Sequence, residues 1–214
     1  MGDSVTQGCF ECYLTSETSL ETVFDYKSAF STRFKEILNL LYPNVQINVI
    51  NSGISGDSAK GGYERLERDV IKYSPDLCVV SFGLNDSCCY SLDEYTEYMD
   101  KIFATLKEKG IETVFLTQNF MCTETSPHLR DKLFKNLAAD FAKVQNGGVF
   151  KKYMESAKKL AIKYGVNICD LYSVWEKLYV SGANVTELLA NKLNHPVREI
   201  HYYMAIKLLE TIIL

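Results

Sequence analysis

Short apolar runs alternate with amphipathic stretches along most of the chain. Segment 76–82 is almost continuously apolar, as in a strand buried on both faces of a parallel sheet. Short β-branched runs predict further strands at 45–51, 112–118 and 166–169. Apolar residues at helical spacing, or stretches that end at glycine or proline, predict six helices. They lie near 26–41, 59–73, 92–109, 130–144, 149–164 and 200–214. The pattern predicts an α/β protein, a mostly parallel sheet with helices on both faces in three α/β/α layers.

The chain shows no internal repeat, low-complexity stretch or linker, so we predict one domain over residues 1–214. With a net charge of -4 and no clustered basic face, we expect no nucleic-acid partner. No apolar run is long enough to predict a membrane span. The oligomeric state stays open.

Seven cysteines are scattered through apolar and loop segments, which favours a reducing compartment over a disulfide framework. We therefore expect a cytoplasmic protein as given, and a secreted one if an upstream segment is missing. Cys9 and Cys12 have the spacing of a redox pair or half a metal site, but no second pair stands at zinc spacing.

Three polar loops, 2–8, 51–57 and 83–86, are expected just after strands. They contain Ser4, Gly56 and Asn85, and a fourth polar element near the C-terminus contains His195. Because ligands of open α/β sheets bind beyond the carboxyl ends of the strands, we expect these residues to converge there.

These four blocks, in this order, resemble the SGNH (GDSL-like) hydrolase family. The resemblance implies a flavodoxin-like α/β/α fold and ester hydrolysis without a metal or organic cofactor. It also implies that Ser4 is the nucleophile and His195 its base, with Ser4 N–H, Gly56 N–H and the Asn85 amide as the oxyanion hole. Gly-x-Ser-x-Gly, the elbow of α/β-hydrolases, does not surround Ser4.

The chemistry requires these residue types. A serine hydroxyl attacks a carbonyl only when a base takes its proton, and histidine titrates near working pH. The oxyanion that forms needs fixed donors; glycine lets a main-chain N–H approach, and asparagine offers uncharged N–H groups.

Each residue also has a plainer interpretation. Ser4 could be a helix N-cap, Gly56 and Asn85 turn residues, and His195 a solvated loop residue. Taken together, in this context, the four favour the catalytic interpretation. Of the other histidines, we expect His201 to pack or hydrogen-bond in the last helix and His128 to lie at the surface.

The first departure from the family is at Lys192. The family has an aspartate there, three residues before the histidine, which orients the imidazole. The orienting group is therefore unknown; the alternatives are a backbone carbonyl or one of several nearby side chains. The side chains considered are Asn191, Asn194, Glu187, Glu199 and Asp170. We predict a Ser4–His195 dyad oriented by an acceptor other than aspartate.

The second departure is at the N-terminus, where the family's first strand precedes Gly-Asp-Ser but here only Met1 does. Either the chain is truncated or the sheet forms without that strand, and a strand from a second copy is an alternative. We expect Ser4 to lie on a mobile terminus, with low or no activity that added upstream apolar residues would restore.

The expected substrate is a small-molecule carboxylic ester, with acetyl on a carbohydrate as the first hypothesis. The alternatives are a lysophospholipase- or lipase-like acylhydrolase and a degenerate, non-catalytic homologue that keeps the pocket. A nucleotide-binding protein ranks far lower, because no phosphate-loop motif follows a predicted strand.

Overall fold

The structure, a computed structural model, describes residues 1–16 and 19–213. In this part of the chain the strands are β1 Cys9–Leu14, β2 Leu20–Phe24, β3 Leu77–Val80, β4 Glu112–Leu116 and β5 Asn167–Cys169. The α-helices are α1 Ser4–Gln7, α2 Phe30–Leu41, α3 Ala59–Glu64, α4 Leu66–Asp69, α5 Asp86–Cys89, α6 Leu92–Glu108, α7 Lys132–Asn146, α8 Val149–Tyr164, α9 Leu171–Val180 and α10 Arg198–Ile213. Short 3₁₀ helices cover Ile71–Tyr73 and Val185–Leu188.

The central sheet is parallel, with β4 between β3 and β5. Val114, Phe115 and Leu116 of β4 are completely buried, as expected for a strand with helices on both faces. Helix α6 packs against α3, α8 and β4, while α10 packs against α2 and β5. The predicted α/β class and parallel sheet are confirmed. None of the helices formed by the described residues is long and apolar enough to cross a bilayer.

The first two residues are tied into the edge of this sheet. The Met1 ammonium donates to the Val79 carbonyl (2.6 Å), and the Ser81 N–H donates to the Met1 carbonyl (3.1 Å). Gly2 forms parallel bridges with both Ser81 and Gly53. These hydrogen bonds hold the segment before Ser4 at the carboxyl end of β3. The expectation that Ser4 lies on a mobile terminus is therefore wrong.

The strand predicted at 45–51 does not form. Residues 46–52 have no regular structure, and a groove of about 520 Å³ separates this segment from β3. Its walls include Val45, Ile47, Val49 and Leu77. A strand forms only where a neighbouring strand pairs with its main chain. Among the described residues, no strand pairs with segment 46–52 across this groove.

Two further local predictions differ from the structure. The helix predicted at 59–73 is broken at Arg65, which leaves helical geometry (φ -105°, ψ 4°). There its buried guanidinium contacts Asp57, Asp69 and the Gly2 carbonyl. The antiparallel β1–β2 hairpin was not predicted, because its residues after Phe10 are half-buried or exposed and its register shifts between Cys9 and Cys12.

Candidate active site

Ser4 is the first residue of the short helix α1, just beyond the sheet. Asp3 caps this helix by accepting a hydrogen bond from the Val5 N–H (3.0 Å), and Gly8 ends it in the left-handed region at φ +99°. Ser4 is only 4% exposed. Its N–H lies in the first turn, where main-chain donors have no partner within the helix.

His195 lies opposite Ser4, in the loop that precedes α10. The two side chains are in hydrogen-bond contact, with 2.9 Å between Ser4 Oγ and His195 Nε2. The His195 main chain is fixed on both sides, because its N–H donates to Asn191 Oδ1 (3.0 Å) and its carbonyl accepts from the Ala190 N–H (2.7 Å). The structure thus brings the two candidate catalytic residues within proton-transfer distance.

The other imidazole nitrogen faces the main chain of β1. His195 Nδ1 lies 3.0 Å from the Phe10 carbonyl oxygen. A carbonyl oxygen can only accept, so Nδ1 carries the proton and Nε2 is free to accept from the Ser4 hydroxyl. This is the tautomer that a general base requires. Phe10 was not among the candidates, since its contribution is a main-chain atom with no residue-type signal.

Position 192, where the family has aspartate, faces away from this contact. The Lys192 ammonium pairs with Glu187 Oε2 (2.9 Å), and the backbone of Lys192 has φ +58°. Asn191 holds the loop instead, because its Oδ1 accepts from the N–H groups of three residues, Leu193, Asn194 and His195.

The remaining candidates for the orienting group have other roles. Asn194 accepts from Asn191 through its own Oδ1 (3.0 Å). Asp170 caps α9 and pairs with Lys158, and Glu199 is exposed. Among the described residues, no carboxylate is hydrogen-bonded to His195.

Burial dominates the proton affinity of His195. Desolvation lowers the pKa of His195 to about 4, while the Phe10 carbonyl and the Glu11 carboxylate act in the opposite direction. An imidazole with this pKa is neutral, and able to accept a proton, at all pH values well above 4.

The two other candidate oxyanion donors lie on loops anchored near α1. Gly56 has φ +79°, a conformation that favours glycine, and the space where a side chain would project is open. Its loop is joined to the segment that carries Ser4, since the Ile54 N–H donates to the Gly2 carbonyl (3.0 Å). Asn85 Nδ2 donates one N–H to the Asp57 carbonyl (2.8 Å), which leaves its second N–H for a ligand.

Two buried carboxyl groups support this region, and sequence reasoning did not single them out. Asp3 accepts from Gln118 Nε2 (2.9 Å), and burial raises the pKa of Asp3 to about 7. Asp86 accepts from the Ala59 N–H (2.9 Å), and burial raises the pKa of Asp86 to about 6. Their positions beside Ser4 and Asn85 in the sequence were the available signal.

The remaining candidates are also located. All seven cysteines are free thiols, and Cys12 Sγ lies 4.0 Å from His195 Nδ1. Within residues 1–16 and 19–213, no group of three or more histidine, cysteine or acidic side chains is arranged to hold a metal ion. His201 is buried and accepts from the Phe30 N–H, and the His128 side chain is 71% exposed, both as predicted.

Comparison with known proteins identifies relatives of this chain. The model of the GDSL-like Lipase/Acylhydrolase family matches residues 1–201. An acetylxylan esterase of Geobacillus stearothermophilus is 37% identical over 81 residues, which are 36% of this chain and 37% of that protein. An arylesterase of Vibrio mimicus is 30% identical over 78 residues, 36% of this chain and 39% of that protein. The matches thus span less than half the length of these two relatives.

The fold has counterparts among solved structures. The crystal structure of the Geobacillus stearothermophilus acetylxylan esterase superposes with a TM-score of 0.71, covering 100% of this chain and 92% of that one at 21% identity. At this identity the likeness concerns the fold alone, and it confirms the predicted three-layer α/β/α architecture.

Proposed function

Because the chain belongs to the GDSL-like lipase/acylhydrolase family, we propose that it is a serine esterase that hydrolyses carboxylic esters. The observation that carries this proposal is the position of His195 between two partners. Its Nε2 lies 2.9 Å from the Ser4 hydroxyl and its Nδ1 lies 3.0 Å from the Phe10 carbonyl. A histidine held in this tautomer beside a buried serine is the arrangement that activates a nucleophile.

In the proposed reaction His195 takes the Ser4 proton as Oγ attacks the ester carbonyl. The imidazolium then gives that proton to the departing alcohol, which leaves an acyl group on Ser4. Water attacks this acyl-enzyme with His195 again as base, and the carboxylic acid is released. The Nδ1 proton stays on His195 throughout, because the Phe10 carbonyl cannot accept it covalently.

The negative charge on the attacked carbonyl oxygen needs donors that are already in place. We assign this role to the N–H groups of Ser4 and Gly56 and to the free N–H of the Asn85 amide. One domain, residues 1–214, would then contain the complete site.

The proposed substrate is a short acyl ester, acetyl on a carbohydrate. The support is the sequence match to an acetylxylan esterase and the likeness of fold to that enzyme. The alternative of a non-catalytic homologue is disfavoured by the intact contact between Ser4 and His195.

Hydrolysis of p-nitrophenyl acetate and labelling by a fluorophosphonate probe test the proposal. Ser4→Ala and His195→Ala should each lower turnover by about a thousandfold or more, and Ser4→Ala should abolish labelling. His128→Ala is the matched control, since the His128 side chain is 71% exposed and pairs with Glu187, and this variant should react as the wild type does. Release of acetate from acetylated xylo-oligosaccharides, compared with octanoyl esters, tests the substrate. Wild-type protein that neither labels nor hydrolyses any ester would refute the function.

A further inference from the structure

The orientation of His195 depends on strand β1, because a main-chain carbonyl moves with its strand. In a catalytic triad one aspartate does two things: it accepts the Nδ1 proton in a hydrogen bond, and its charge stabilises the imidazolium. The Phe10 carbonyl does the first here. It has no net charge, so the second task and the anchoring of β1 must fall to other groups.

Arg198 connects β1 to the element that carries the histidine. It is the first residue of α10, and its Nη1 and Nη2 bind both oxygens of Glu11 (2.6 and 3.1 Å). Its Nε binds Asp25 Oδ2 (2.9 Å), one residue beyond β2. Its guanidinium also lies over the Phe10 ring, 4.4 Å from the ring centroid. One side chain thus holds both strands of the hairpin to the start of α10.

We propose that Arg198 and Glu11 are positioning residues for the base of the esterase. Arg198 holds the Phe10 carbonyl against Nδ1 of His195, and the Glu11 carboxylate supplies the negative charge that a triad aspartate would supply. The two tasks of the acid are thereby divided between a main-chain atom and the next side chain along the strand. The kinetic part of this proposal rests on the proposed function.

The charges around His195 agree with this division. The Cys12 thiol on β1 lies 4.0 Å from His195 Nδ1. Glu11 on β1 acts on the imidazole electrostatically, and so does His201 on α10. Arg198 lies over the ring of Phe10, whose carbonyl contacts Nδ1. The buried His201 imidazole has a pKa lowered to about 3, so it is neutral at working pH. Glu11 is the charged group that raises the pKa of His195 against the effect of burial. The charge of Arg198 is offset by its two carboxylate partners.

The pair has a geometric role more than a stabilising one. The side chains of Arg198 and Glu11 are 36% and 43% exposed, so solvent screens their attraction. What they provide is the fixed fork-to-carboxylate geometry of a two-point contact. Variants at these positions should therefore fold, which thermal unfolding can verify.

The test separates geometry from charge with two variants. Glu11→Gln keeps a hydrogen-bonding partner for Arg198 and removes the charge, whereas Arg198→Lys keeps the charge and loses the fork. Nitrogen-15 NMR of the imidazoles reads the tautomer directly, and the chain has three histidines to distinguish. This readout does not depend on ester turnover.

For Glu11→Gln we expect kcat to fall about tenfold, the lower end of what loss of a partner costs a metal-bound histidine, with KM unchanged. The acid limb of kcat/KM should move to lower pH, because the imidazolium has lost its stabilising charge. The Nδ1–H tautomer should persist, and Glu11→Asp, which restores the charge, should recover most of the lost kcat. Wild-type kcat in Glu11→Gln, or no recovery in Glu11→Asp, overturns the role of the charge.

For Arg198→Lys we expect a mixture of His195 tautomers at pH 7.5 and a lower kcat. The matched control is Glu36→Gln, which breaks an exposed pair with Arg33 on α2 and should change neither. A pure Nδ1–H tautomer in Arg198→Lys overturns the positioning role. If Ser4→Ala retained full activity, the proposed function would fail, while the tautomer of Arg198→Lys would still decide the positioning role.

Discussion

Replacing His201 with glutamine should change how the stability of the protein depends on pH. His201 is fully buried, its Nδ1 accepts a hydrogen bond from the Phe30 N–H (3.1 Å), and its ring packs against Phe10. Burial, assisted by His195 and Arg198, lowers the pKa of His201 to about 3. The folded protein therefore keeps this imidazole neutral at pH values where an exposed histidine is charged.

The sign and size of the effect follow from linkage. The pKa in the unfolded chain, 6.5, is above the folded value, so the unfolded chain takes up the proton first as the pH falls. The stability contributed by His201 is complete above pH 6.5 and is lost between 6.5 and 3, by up to about 1.4 kcal/mol per pH unit. At pH 5 the loss is about 2 kcal/mol relative to pH 8.

Other buried groups obscure this effect in the wild type alone. His195 acts in the same direction as His201, because its pKa is also lowered. Asp3 and Asp86 act in the opposite direction, since their pKa values are raised to about 7 and about 6. Their protonation favours the folded state as the pH falls through those values. The quantity to measure is therefore the difference between wild type and variant.

Urea unfolding at pH 8 and pH 5 gives this difference. Glutamine does not titrate, and its amide oxygen can accept from the Phe30 N–H. The stability advantage of wild type over His201→Gln should shrink by about 2 kcal/mol from pH 8 to pH 5. His128→Gln, at an exposed histidine, is the control and should show no such change. An advantage for the wild type that is the same at both pH values would refute the reasoning.

Three further outcomes are expected. The acid limb of kcat/KM should lie near the His195 pKa of about 4 and not near 6.5, and a limb at 6.5 in a pH-stat assay would contradict the burial argument. Lys192→Asp should give no gain in esterase turnover, because the Phe10 carbonyl already occupies Nδ1; a large gain would mean that an acid was missing. Asn85→Ala should lower kcat by about 10²–10³, as loss of one oxyanion donor does. Steady-state kinetics should show little change in KM, which would distinguish this effect from a binding defect.

Local signals predicted the regular elements that flank the site. Helix α6 has a capping box at its start, formed by Ser91 and Glu94, and Gly110 follows its end. Strands β3 and β4 are apolar runs, as their composition predicts. Strand β4 is buried on both faces after its first residue, whereas the residues of β3 alternate between half-buried and buried. Ser4 and His195, which the structure brings together, were identified by the resemblance of their sequence blocks to the SGNH hydrolase family.

The remaining features depend on contacts that no residue type announces. Segment 45–51 has the composition of a strand, but composition reports only an ability to pair and not the presence of a neighbour. The break of the helix at Arg65 reflects a buried ion pair with Asp57 and a hydrogen bond to the Gly2 carbonyl, which is distant in the sequence. The Phe10 carbonyl was unpredictable for the same reason, since every residue has one and only the hairpin's position selects it.

The position of Lys192 follows from how the His195 imidazole is held. An aspartate at this position would accept a hydrogen bond from the Nδ1–H of His195, but in this protein the Phe10 carbonyl accepts that hydrogen bond. The loop before His195 is fixed independently by Asn191, whose amide oxygen gathers three successive N–H groups. Other atoms therefore orient the imidazole and fix the loop, and the side chain at position 192 pairs with Glu187 instead. A lysine at the usual aspartate position is therefore compatible with an oriented base, and by itself it is no argument for a lost activity.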